Sequence, residues 1–150
     1  MTPFFRAADR VEALAREAES WKGTPFRGNS SAKGVGVSCQ KLAEALLRAS
    51  GFDCPEAPDV PMALAMSTRE TGGILEPWME AHPDRFLLVH GEPEPGDLLG
   101  FRLWRTVHHL GVFLGGGLFV HVMEVSGVAI RPLADPTWGN RLSRVWRPIE

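Results

Sequence analysis

An α+β domain is predicted from three observations: helical periodicity occupies the first half of the chain, strand-like runs fill the second, and 44% of the 150 residues are hydrophobic. That apolar content at this length suits one domain over residues 1–150 with a single core. The expected architecture places N-terminal helices, one of them bearing a cysteine, on a C-terminal antiparallel sheet.

From Ala7 to Trp21, apolar side chains at Val11, Leu14, Ala15, Ala18 and Trp21 recur on one helical face. The text GTPFRGNSSAKGVG over 23–36 is polar and glycine-rich, and reads as an irregular loop. Between Ser38 and Ser50, Leu42, Ala43, Leu46, Leu47 and Ala49 form the apolar stripe of a second helix, with Gly51 placed to end it. Pro55, Pro58 and Pro61 mark a connector; MALAMSTRE and ILEPWMEAH then read as two short helices parted by Gly72 and Gly73. After Pro83 the runs FLLV, DLLGFRL, HLGVFL, LFVHVME and VAIRPL read as strands, and RVWRPIE as an edge strand ending near Pro148.

A formal charge of -2 offers no electrostatic footprint for nucleic acid or an anionic membrane. No window reaches the roughly 18 apolar residues of a membrane span, and charges at Arg6, Asp9, Arg10, Glu12 and Arg16 break up any signal-peptide core. With only Cys39 and Cys54 present, no disulfide framework is implied.

Ser38 is a good N-cap residue, which sets Cys39 at the first helical position, where unpaired N–H groups and the helix dipole favour an anion and are expected to lower a thiol pKa. Cys54, in GFDCPEAP, has no comparable setting and reads as structural. Along HLGVFL, His109, Gly111 and Phe113 share one face, while Leu110, Val112 and Leu114 share the other, taken as inward. A three-residue turn at Gly115, Gly116 and Gly117 would pair Leu114 with Leu118, Gly111 with His121 and His109 with Met123. His109 and His121 then lie diagonally on one face, roughly 7–8 Å apart, so one imidazole can orient the other as in a catalytic triad. Gly111 would leave room for substrate or for the cysteine-bearing helix. Alternation turns His108 to the opposite face, as a rim residue, and gives His82 and His90 no role.

These residues resemble the NlpC family of papain-like cell-wall cysteine peptidases, through WKGTPFRGN at 21–29, GVSCQ with its following helix at 36–50, PGDLLGF at 95–101, HLGVFLGGG at 109–117 and FVHV at 119–122. The resemblance implies a papain-like fold in which Cys39 is the nucleophile, His109 the general base and acid, and His121 the orienting third member. It implies cleavage of an amide bond in peptidoglycan stem peptides by a cysteine hydrolase, endopeptidase or amidase, without cofactor or metal. Phe26, Ser38 and Gln40 stand where the family's substrate-binding groups lie, but differ from its usual tyrosine and Asp-Cys-Ser-Gly. That difference points to another acyl substrate, or to a stem peptide lacking a free amino end. The expected setting is cytoplasmic or phage-particle associated, with a phage-tail or secretion partner, or export by an unrecognised route.

Three alternatives accompany this reading: a non-catalytic binding module on the same fold, an acyltransferase using the same cysteine, and a zinc site at Cys39, His109 and His121. The last lacks the short paired spacing of structural zinc motifs.

Overall fold

The computed structural model describes residues 1–60, 68–103 and 106–150. After a 3-10 turn at Phe4–Arg6 comes α1 (Ala8–Trp21), which buries Leu14, Ala18 and Trp21 of the expected apolar face. The segment expected to be wholly irregular contains a small antiparallel ribbon, β1 (Ser31–Ala32) with β2 (Gly36–Val37). Two-residue strands are too short to carry a period of two. Next, α2 (Cys39–Ala49) starts after Ser38 and buries Leu42, Ala43, Leu46 and Leu47. Gly51 follows with φ of +93°, the left-handed conformation that ends a helix.

Where two short helices are expected around Gly72 and Gly73, a single helix, α3 (Thr68–Glu80), runs through both glycines. Each interior glycine costs about 1 kcal/mol, and burial of Leu75, Trp78 and Met79 against the sheet offsets that cost. Pro77 also lies inside this helix. The carbonyl it leaves unpaired belongs to solvent-exposed Gly73, where water can replace the bond. Residues 62–67 of the first expected helix lie outside the described residues.

Six strands form one antiparallel sheet: β3 (Phe86–Val89), β4 (Leu98–Leu103), β5 (Thr106–Gly115), β6 (Leu118–Met123), β7 (Gly127–Pro132) and β8 (Leu142–Pro148). Their spatial order is β3-β8-β4-β5-β6-β7. The C-terminal strand is therefore interior and not the expected edge, with β3 on one side and β4 on the other. Pro148 is accommodated because it ends the strand, opposite Phe86.

The sheet has two apolar faces. Leu98, Val107, Leu110, Val112, Val120 and Val122 join the helices in the larger core. Leu99, Phe101, Phe113, Phe119 and Val145 form a smaller aromatic cluster on the opposite face. A buried ion pair ties β8 to the turn before β4: Arg147 donates from Nε and Nη2 to Asp97 at 3.0 and 2.8 Å, and Asp97 also accepts from the Glu94 N–H. Asp97 is 1% exposed, so Arg147→Met would strand a buried carboxylate. Urea unfolding should show a loss of about 3–5 kcal/mol, with much of it recovered in Asp97→Asn/Arg147→Met.

Candidate active site

The β5–β6 hairpin adopts the register read from its glycines, with Val112 opposite Val120 and Phe113 opposite Phe119. Closure differs in detail. Gly115 rather than Leu114 pairs with Leu118, and Leu114 is the extra residue of a bulge. Gly115, Gly116 and Gly117 all take positive φ, at +91°, +60° and +76°, which side-chain-bearing residues rarely adopt. Bulge and turn together keep the odd count, so His109 and His121 share a face. His109 Nε2 lies 2.9 Å from His121 Nδ1, and the two residues are 9% and 1% exposed.

Around this pair lies an aromatic shell that sequence reasoning missed. Trp138 approaches His109 and His121 with ring centroids 5.2 and 4.7 Å away, and Phe101 lies 5.8 Å from His109. Trp138 is carried by α4 (Pro136–Gly139), whose start is fixed by Asp135 accepting from the Thr137 N–H at 3.0 Å. An Asp-Pro pair is a helix-start signal, legible in the sequence but left unused. The same aromatics correct the reading of Gly111. A Cβ there would sit 2.9 Å from Phe119 Cδ2 and 3.2 Å from Phe101 Cε2, so the space is filled by rings rather than open to substrate. The cysteine-bearing helix packs on the other face, among Leu110 and Val112.

His108 is also placed differently from expectation. Phe101 pairs with His109 and Arg102 with Val107, so His108 is the unpaired residue of a bulge in β5. The bulge resets alternation: Val107 joins Leu110 and Val112 in the helix-side core, and His108 lines the same cavity as His109. Period-two reasoning has no means of seeing an inserted residue.

That cavity, about 360 Å³, is lined by Cys39 and His109, and by Phe26, Ser38 and Gln40. Nucleophile and base candidates 70 positions apart in sequence thus line one cavity, with His121 hydrogen-bonded to His109. Cys39 is half-buried. Loss of solvent is the dominant influence on its thiol and pushes it above its ordinary value, against the opposing pull of backbone groups of Leu110, Gln40 and Cys39 itself. The expected lowering at the helix start is thus reversed by desolvation. Burial likewise lowers His109 to about 3, helped by His121 and His108. His121 is lowered to about 4 by burial and then by Arg131. Burial thus favours the uncharged forms of the thiol and of both imidazoles.

Gln40, 2% exposed, is held by its own hydrogen bonds. Its Nε2 donates to Asn29 Oδ1 at 3.3 Å and to the Pro58 carbonyl at 3.2 Å, while its Oε1 accepts from the Cys39 thiol at 3.6 Å. Asn29, in left-handed conformation at φ +56°, also accepts from the Val60 N–H and donates to the Val60 carbonyl, both at 2.8 Å. Gln40 and Asn29 therefore fasten two loops beside the thiol. Phe26, 37% exposed, lines the cavity and bridges through its backbone to Val37. Ser38 caps α2 by position only, because its hydroxyl makes no cap bond and has no partner.

Chemically, the histidine pair is compatible with one direction of proton flow. With His109 Nε2–H donating to His121 Nδ1, His109 Nδ1 is the free acceptor for a thiol proton, and the imidazolium so formed keeps a charge-assisted bond to His121. Among the described residues no group of three His, Cys, Asp or Glu is arranged to hold a metal ion, and no helix is long and apolar enough to cross a membrane.

Helices packed on an antiparallel sheet, with Cys39 and His109 lining one cavity and His121 bonded to His109, define an α+β domain of the cysteine-peptidase type. The chain belongs to the NlpC/P60 family, whose model matches residues 23–147. It is 24% identical over 145 residues to the murein DD-endopeptidase MepS/murein LD-carboxypeptidase of Escherichia coli K12, covering 96% of this chain and 66% of that protein. It thus spans just under two thirds of that relative. A Staphylococcus aureus Mu50 structure, described as similar to an NLP/P60-family lipoprotein, superposes over 100% of this chain and 45% of its own, with a TM-score of 0.69 and 18% identity. RipD of Mycobacterium tuberculosis, described as a non-catalytic NlpC/p60 domain adapted to peptidoglycan binding, superposes over 96% of this chain and 100% of its own, with a TM-score of 0.60 and 15% identity. The α+β fold is that of NlpC/P60 structures.

Proposed function

We propose that this chain is a cysteine hydrolase that cleaves an amide bond in peptidoglycan stem peptides through a thioester. The observation that carries this reading is the 2.9 Å hydrogen bond between His109 and His121, in the wall of the cavity that holds Cys39. His109 takes the thiol proton, the sulfur attacks the amide carbonyl, and His109 returns the proton to the leaving amine. A water activated by His109 then hydrolyses the thioester. Backbone N–H groups at the start of α2 are suited to hold the oxyanion. The stem-peptide substrate is supported by the name of the E. coli relative.

Mass-spectrometric digestion of synthetic stem peptides carrying D,D- and L,D-amide bonds tests the reading. Wild-type protein is expected to cleave at least one of them, and Cys39→Ala to lose about 10³-fold or more of that activity. Undiminished cleavage by Cys39→Ala would end it. One observation favours a second reading, a binding module: the thiol is kept neutral by burial and donates to Gln40. Binding of stem peptides without cleavage by wild-type protein selects that reading.

A further inference from the structure

Among the described residues, three buried side-chain nitrogen or oxygen atoms have no hydrogen-bond partner: Ser38 Oγ, His108 Nδ1 and Trp78 Nε1. Unpartnered buried polar atoms are rare because each loses its hydration without compensation. Two of these three belong to residues lining the Cys39 cavity. Ser38 is 4% exposed and directly precedes the nucleophile, while His108 directly precedes His109. The β5 bulge brings His108 there, and bulges re-aim side chains beside functional sites.

Resting on the hydrolase reading, we propose that Ser38 and His108 are specificity-determining residues that pair with uncharged amide groups of the substrate on either side of the scissile bond. The Ser38 hydroxyl is uncharged, and burial disfavours the charged form of the His108 imidazole. A hydroxyl and a neutral imidazole can donate to a carbonyl or accept from an N–H, but neither compensates a desolvated ammonium or carboxylate. The charged residues lining the cavity, Glu124 and Arg141, are solvent-exposed, and its remaining wall includes Val60, Val122 and Phe101. The cavity therefore selects an amide embedded in an uncharged stretch of backbone over one next to a free chain end.

The test uses three matched synthetic stem peptides. One is N-acetylated and C-amidated, with backbone amides on both sides of the scissile bond; the others are trimmed to place a free ammonium or a free carboxylate beside that bond. Wild-type kcat/KM is expected to favour the capped peptide by about tenfold or more over either trimmed one, with Ser38→Ala and His108→Phe each reducing that preference by about tenfold. Ser38→Asp should shift preference towards the free-ammonium peptide. Equal rates on all three peptides, or variants that slow all three equally, would overturn the proposal. Calorimetric titration of Cys39→Ala with the same peptides separates this inference from the hydrolase reading. Absence of cleavage alongside preferential binding of the capped peptide rejects only the hydrolase; cleavage without any preference rejects only the Ser38–His108 assignment.

Discussion

Replacing His109 by alanine is expected to lower kcat/KM on a cleavable stem peptide by about 10³–10⁴-fold, because the group proposed to take the thiol proton and return it to the leaving amine is then gone. His121→Ala should cost less, roughly 10²–10³-fold, since the base is still present but no longer oriented. The pair of variants separates orientation from packing. His121→Asn keeps an oxygen able to accept from His109 Nε2–H and should recover part of the lost rate, whereas His121→Leu, which fills the space without accepting, should not. Equal activity in the Asn and Leu variants would mean that the 2.9 Å contact has no orienting role.

Acid is expected to destabilise this fold through the same two histidines. Both are neutral in the folded protein, with His109 lowered to about 3 and His121 to about 4, in each case chiefly by burial. A histidine lowered on folding binds its proton more readily in the unfolded chain. Its contribution is therefore complete above the unfolded value near 6.5 and is lost as pH falls towards 3–4. By pH 4.5 the loss is on the order of a few kcal/mol for the pair. Urea unfolding at pH 7 and pH 4.5 measures it directly, and His109→Leu/His121→Leu should flatten the pH dependence. A double variant with an unchanged slope would place the acid sensitivity elsewhere. The same lowering keeps His109 able to accept a proton well below pH 6.5, so the acid limb of kcat/KM should fall below pH 5.

Much of this site is legible in the sequence because it rests on local rules. Ser38 before an apolar 3.6-residue stripe marks the start of α2 and places Cys39 there. Three successive glycines mark the hairpin, and the odd count, kept by the Leu114 bulge with the Gly116–Gly117 turn, sets the register that brings His109 to His121. What was not legible depends on partners distant in sequence. Trp138 meets the histidines only because α4 folds back over the outer face of the sheet. His108 enters the cavity because β5 holds one residue more than β4 opposite it. The raised thiol follows from how much protein surrounds Cys39, which the helix-start position does not disclose. An interior β8 likewise depends on the pairing of β3 with the C-terminus, a contact between residues near opposite ends of the second half of the chain.

The central claim is that Cys39 carries the acyl group between two proton transfers by His109. Acid-quenching wild-type protein during turnover of a stem peptide and measuring intact mass, followed by peptide mapping, tests it directly. The expected result is an adduct equal in mass to the acyl half of the substrate, on the peptide containing Cys39 and absent from Cys39→Ala. Turnover that persists in Cys39→Ala, or an adduct mapped to another residue, would contradict it.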